Sequence, residues 1–399
     1  MSNKELKATL SLALVFFFRM LPLFMVLPVL ALSEDSYTQT TPQLLGLALG
    51  IYGLTQAGLQ IPFGVLSDRW GRKPIIVLGL VIFGIGSLIA ATADSVYGLI
   101  IGRSLQGAGA VAAAIMALAA DLTSEESRTK AMACIGISIG VAFCIAFILG
   151  PVLFTYMGIK GLFYLSACFS VLAIMLLLFI VPSPKEKAQN KNPPNFNEIK
   201  SVLVKPSLIK LDISIFTSHL ILMANFTVIP IALRDGMQLA PIAHWQVYLS
   251  AIFLSLFIMV PLVIFGERLK KEKLFLILSI LLIMLSQTGL ALFSVNINIT
   301  VIFLILFFGA FNYLEALLPS EVSKTTHGNT KGAALGVYST SQFIGIFIGG
   351  LAGGFFYQQF GLTSVHLLCL FLGVFWLVIM LFLSKNETSS KNELEEDTV

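Results

Sequence analysis

The sequence predicts an all-α membrane protein, with twelve transmembrane helices arranged as two six-helix bundles. Three observations carry that reading. Hydrophobic residues make up 57% of the 399 residues and charged residues 12%, against about 25% charged in soluble domains. With a mean hydropathy of +0.92, no soluble fold of this length buries so much apolar side chain. Twelve apolar stretches approach membrane-spanning length, at about 8–32, 44–66, 74–92, 96–121, 131–154, 161–182, 207–233, 245–265, 273–293, 298–323, 332–357 and 362–384. The third observation is the placing of Lys and Arg. Of 25 such residues, 21 fall on loops and ends of one side, Lys160 and Arg234 fall on the other, and Arg19 and Arg103 lie inside helices. This bias places both termini in the cytoplasm of a multi-pass inner-membrane protein.

The first apolar run is longer than a signal-peptide core and leads straight into further spans, so it is expected to be retained. Residues 64–76 read Gly-Val-Leu-Ser-Asp-Arg-Trp-Gly-Arg-Lys-Pro-Ile-Ile. Asp68, Arg69, Arg72 and Lys73 cannot lie in lipid, so this is a tight loop at the membrane face. Gly64 and Gly71 permit the turn, and Pro74 suits the start of the next helix.

In the fourth span Arg103, Gln106, Gly107 and Ala110 share one face. A charge at mid-helix costs at least about 2.5–3.5 kcal/mol, so it must face protein or a wet cavity. Arg103 is expected to line a polar cavity and to bind or relay charge. Bonding to helix backbones is the alternative. Small residues such as Gly107 let a neighbouring helix approach closely. The fifth span carries Gly136, Gly140, Cys144, Phe147, Gly150 and Pro151, a small-residue stripe ending in a kink, as helices that slide or rock would need. Cys134, Cys144, Cys168 and Cys369 all fall in spans without metal-ligand spacing and are expected to be buried thiols.

A polar stretch at 183–206, rich in Pro, Lys and Asn, reads as a cytoplasmic linker. Residues 196–205 could form a short interfacial helix there. It divides the chain into a first bundle at 1–182 and a second at 207–384, the plan of transporters built from inverted repeats. The acidic tail, 385–399, is expected to lack structure.

Within the spans, Arg19, His219, Asn225, Asn312 and Glu315 stand out. Desolvation disfavours a charged carboxylate, so Glu315 is a candidate proton carrier. Histidine titrates near neutral pH even when unperturbed, which makes His219 another. A permanent ion pair of Glu315 with Arg19 or Arg103 is the alternative. Tyr52 and Gln56 on the second span, and Tyr338, Ser341, Gln342, Gly345 and Gly349 on the eleventh, are candidates to line a central cavity. The 32 phenylalanines would suit amphiphilic substrates.

These motifs resemble the major facilitator superfamily. The 64–76 loop is similar to the motif after that family's second helix, the Arg103 segment to its fourth-helix motif, and Gly140 with Gly150-Pro151 to part of its fifth-helix antiporter motif. The Gly-Gly pair that follows in that motif is replaced here by Val152-Leu153. Gly50-Ile-Tyr-Gly-Leu-Thr-Gln-Ala, Thr129-Lys-Ala-Met-Ala, Glu315-Ala-Leu-Leu-Pro-Ser and Gly336-Val-Tyr-Ser-Thr-Ser-Gln-Phe are similar to the proton-driven drug-efflux branch, in its YajR-like group. The resemblance spans about 8–384. It implies that Asp68, Arg72 and Asp121 form a charge cluster latching the halves in the outward-open state, with Asp68 facing the amino end of the eleventh helix and Arg72 paired with Asp121.

The implied function is proton-coupled efflux of small amphiphilic compounds by alternating access. Symport or uptake of a metabolite such as a sugar or organic acid is the alternative. The expected partners are substrate, protons and lipid, with no nucleic acid, and the expected unit is a monomer. No cofactor or metal is expected, the proton gradient being the driving force. No metal cluster, nucleophile constellation or Gly-x-x-x-x-Gly-Lys-Ser/Thr loop supports an enzyme or direct use of ATP.

Overall fold

The computed structural model describes residues 1–183, 202–293, 296–326 and 330–396, with side chains described through 383. The expected linker and its interfacial helix lie mostly outside these residues. Helices α1 (Asn3–Val26), α2 (Pro42–Trp70) and α3 (Arg72–Thr92) come first. Ser2 and Glu5 cap α1 reciprocally, and the Thr41 side chain caps α2, so orphan amides at both helix starts are satisfied. Gly71, at φ 99°, turns the chain between α2 and α3 in a conformation that side-chain-bearing residues avoid.

The fourth span is broken. α4 consists of Val96–Ala108 and Ala112–Asp121, where the sequence suggested one continuous helix. The cause is close packing: a Cβ at Gly109 would collide with the Gly79 carbonyl oxygen of α3. The run Glu125–Phe179 comprises two spans, α5 and α6, which meet at Gly158 with φ 64°. The second half holds α7 (Pro206–Ile231), α8 (His244–Leu269), α9 (Glu272–Phe293), α10 (Ile297–Thr325), α11 (Thr330–Phe360) and α12 (Leu362–Glu396). α12 thus continues through most of the tail expected to be unstructured. Its Lys and Glu content favours helix once a packed span has nucleated it.

These twelve spans form two six-helix bundles. Nearly all of α7 is buried, whereas Phe179, Phe257 and Phe371 are largely exposed, as lipid-facing side chains must be. The same applies to the cysteines. Cys369 is buried as expected, but Cys134 and Cys144 are half-buried and Cys168 is exposed, because a small apolar thiol is as much at home against lipid as against protein. Contact between the bundles runs chiefly along α2 and α11 and between α5 and α8. The α2–α11 seam is not uniform. At the end away from the basic loops, a Cβ at Gly46 would collide with the Gly350 carbonyl oxygen, and one at Gly50 with that of Phe347. At the basic end, a Cβ at Gly336 would meet only Ile61, at 3.9 Å. The α2–α11 seam is therefore shut at one end and looser at the basic end, hereafter the splayed end.

Candidate functional site: two buried polar clusters and the ends that enclose them

In the first bundle the buried charges are tied to backbone. Arg103 donates from Nε to the Ala48 carbonyl at 3.1 Å, from one terminal nitrogen to Gln106 Oε1 at 2.8 Å and from the other to the Leu49 carbonyl at 3.4 Å. Gln106 Nε2 donates to Ser87 Oγ at 2.7 Å. Arg19 donates to the Gln106 and Gly109 carbonyls at 3.4 and 3.3 Å, which the break in α4 leaves short of helical partners. The Arg19 guanidinium also covers the Phe83 ring, 4.1 Å from its centroid, and donates to the Tyr52 hydroxyl at 3.3 Å. Arg103 lies over the same tyrosine.

The expectation that Arg103 and Gln106 line a polar cavity is corrected here. Each is 1% exposed, and Arg19 is 2% exposed. Both arginines hold helices α1, α2 and α4 together through carbonyl oxygens. Tyr52 is part of this cluster, though its ring also reaches Phe343 of α11 at 6.5 Å. Gln56 is buried on α2, with Oε1 unpartnered.

The second bundle differs. His219 on α7 has Nδ1 3.2 Å from the Ile215 carbonyl and Nε2 2.9 Å from the Gln342 amide nitrogen of α11. These partners assign the neutral tautomer in which Nδ1–H donates and Nε2 accepts. Glu315 of α10 approaches Nδ1 at 3.7 Å, too far for a hydrogen bond. Its Oε1 is buried without a partner. Neither arginine pairs with Glu315. Asn312, expected beside it, donates to Ser255 of α8 at 3.2 Å. Asn225 is 2% exposed, and neither amide atom has a hydrogen-bond partner among the described residues.

Aromatic rings bridge the bundles near Asn225. Phe147 of α5 lies 5.4 Å from Phe226 of α7 and 5.3 Å from Tyr248 of α8, and the Tyr248 hydroxyl is unpartnered. Gly345 and Gly349 do not face this space, because they pack on the Phe216 and Leu220 carbonyls.

At the basic end Asp68 pairs with Arg72, and Arg72 Nε donates to Asp121 at 3.0 Å. Lys73 donates to the Val181 carbonyl at 2.5 Å, and Arg69 is exposed. The cluster assembles within the first bundle. The expected approach of Asp68 to α11 is not made among the described residues, because the seam is splayed there. The packing roles expected of the glycines divide. Gly107 and Gly150 lie against the Tyr52 and Met25 carbonyls, Pro151 is buried beside them, Gly64 makes only an ordinary contact with Ala113, and Gly140 has open space around it.

The shut end carries a group that sequence reading missed. Arg234 lies in a π-helical turn, Ala232–Gly236. It donates to both oxygens of Asp235 at 2.7 and 2.9 Å and across the bundles to Glu34 at 2.9 Å. Beneath it Ala31, Leu32 and Ile231 form an apolar plug flanked by Phe154 and Tyr357. Arg234 was visible in the sequence only as one of two cations on that side. Ser87 and Asp212 were missed as well.

A family profile described as Major Facilitator Superfamily matches residues 12–313 and 212–398. The inner membrane transport protein YajR of Escherichia coli K12 is 43% identical over 95% of this chain and 84% of its own length. An uncharacterized transporter, BU466, of Buchnera aphidicola from Acyrthosiphon pisum is 37% identical over 88% of this chain and 90% of its own. Among solved structures, a mutant of the nucleoside transporter NupG shares the fold, with a TM-score of 0.76 at 14% identity, over 95% of this chain and 99% of that one. The chain belongs to the major facilitator superfamily: it is a YajR-like, multi-pass membrane transporter and not an enzyme.

Proposed function

We propose that the protein is an inner-membrane antiporter that exports small amphiphilic compounds in exchange for protons. Its basic end and both termini lie in the cytoplasm, and it works as a monomer. The observation that carries this reading is Glu315, a carboxylate with one oxygen buried and unpartnered, 3.7 Å from a His219 whose ring nitrogens are otherwise engaged. A group that must bind and release protons cannot be locked in a permanent ion pair, and Glu315 is not. Phe147, Phe226, Tyr248 and Asn225 are buried where the bundles meet; parting of the bundles would expose three rings and an unused amide, which together suit a ligand with an apolar body and a polar tip.

With the basic loops cytoplasmic, the splayed end opens inward. Alternating access then requires the outer plug and the Arg234–Glu34 bridge to part as the Asp68–Arg72–Asp121 cluster closes on α11. A partly exposed ion pair contributes only about 0.2–1 kcal/mol, so the outer bridge is weak enough for one ligand or one proton to offset.

The test is proton flux in inverted vesicles energised with a pH gradient, challenged with a panel of cationic and neutral amphiphiles. At least one compound should dissipate the gradient with wild-type protein and none with Glu315→Gln. Dissipation equal in both excludes Glu315 from coupling. No response from correctly inserted protein moves the reading to transport of sugars or organic acids, for which the unpartnered Asn225 amide supplies a specific polar contact.

A further inference from the structure

The second bundle holds a carboxylate that the site above does not use. Asp212 lies on α7 seven residues before His219, which puts the two on one helix face. It is half-buried and enters no ion pair or hydrogen bond among the described residues. An uncompensated carboxylate in a span is costly and marks function by default.

Tyr338 of α11 is 6% exposed, and its hydroxyl also lacks a hydrogen-bond partner among the described residues. α11 packs along α7 with Gly345 against the Phe216 carbonyl and Gly349 against that of Leu220, a register that sets Asp212 level with Ser341 and within one turn of Tyr338. One turn farther along α11, Gln342 holds His219. Asp212 and Tyr338 lie nearer the starts of α7 and α11, at the splayed end, than His219 and Gln342 do. The other charged groups on the neighbouring elements lie toward the basic ends of their helices. Lys210, Glu272, Lys273 and Glu321 line a cleft between α7, α9 and α10. Lys324 pairs with Glu321 at 2.7 Å, and Lys331 at the start of α11 is exposed.

We propose that Asp212 is a second proton-binding carboxylate, joined to Glu315 through the Tyr338 hydroxyl, and that protons pass by this route between the splayed end and His219. The proposal rests on the proton-coupled reading above. A proton from water binds an Asp212 oxygen. The Tyr338 oxygen then takes that proton while its own proton passes to the Glu315 carboxylate, directly or through one water. The tyrosine ends neutral, Asp212 is again ionised and Glu315 is protonated.

The test is infrared difference titration of the full chain in lipid nanodiscs. It is followed between about pH 6 and 8, where exposed carboxylates stay ionised. The wild type should show two carboxyl C=O signals. Asp212→Asn should remove one and Glu315→Gln the other, while Asp212→Glu, which keeps the carboxyl, should retain both. In Tyr338→Phe both should persist, with proton–deuteron exchange at Glu315 slowed at least about tenfold, at the low end of what a positioned proton-transfer group contributes. Identical spectra from wild type and Asp212→Asn overturn the proposal, whatever Glu315→Gln does. Loss of one signal in Asp212→Asn with a wild-type spectrum in Glu315→Gln upholds Asp212 as a carrier and refutes Glu315 instead.

Discussion

The two bundles bury charge in opposite ways. In the first, Arg103 directs three nitrogens at the Ala48 and Leu49 carbonyls and Gln106, and Gln106 is itself held by Ser87. In the second, Glu315 has an idle oxygen and Asn225 an idle amide among the described residues. A buried ion offsets its desolvation only when its hydrogen bonds are made. Arg103 meets that condition and acts as a brace between helices, while Arg19, bonded through one terminal nitrogen, keeps Nε and its other terminal nitrogen buried without partners among the described residues. The second cluster does not, and its cost is tolerable only where water, a proton or a substrate completes it. The difference teaches that a charged residue within a span marks function only once its partners have been counted.

The comparison breaks first at Arg103. Arg103→Lys keeps the buried charge and removes the fork that spans two carbonyls and an amide. We expect a loss approaching that of breaking a buried charged contact, about 3–5 kcal/mol, read as accelerated thermal unfolding in detergent. A variant as stable as wild type would show that the brace is not one. Ser87→Ala is the next largest. It leaves Gln106 Nε2 without an acceptor inside a dry helix interface, and an unsatisfied buried donor costs about 1–3 kcal/mol. The same unfolding assay reads it, and a loss smaller than for Arg103→Lys is expected.

Much of this was legible in the sequence, for reasons that differ by residue. Hydropathy and the alternation of Lys and Arg located the spans, because lipid permits so few arrangements of backbone and charge. The Asp68–Arg72–Asp121 cluster could be read because its spacing is dense and its residues lie on one short loop and one helix end. Arg103 could be placed on a face, but a helical face does not tell what it meets, and here it meets carbonyl oxygens of α2 that every sequence possesses. The break in α4 depends on Gly79 of another helix, and the outer bridge joins residues 200 positions apart, so neither has a local signature. Asp212 lies two turns inside α7 near the basic end, where an acid reads as a topology residue until Tyr338 and Glu315 are set beside it.

The smallest expected effect sharpens the contrast most. Glu315→Gln removes the carboxylate that transport is proposed to need, yet that carboxylate makes no hydrogen bond which folding depends on. Glutamine has nearly the same shape and no charge to desolvate. Its effect on unfolding should therefore lie within about 0.5 kcal/mol of wild type, the range of substitutions that touch no structural feature, while coupled flux is lost. A large destabilisation would mean that Glu315 and His219 form a structural pair despite their 3.7 Å separation. The second bundle would then brace itself as the first does. Unchanged stability with lost flux would separate the two kinds of buried charge by experiment, one committed to holding helices together and the other kept free to change its partner.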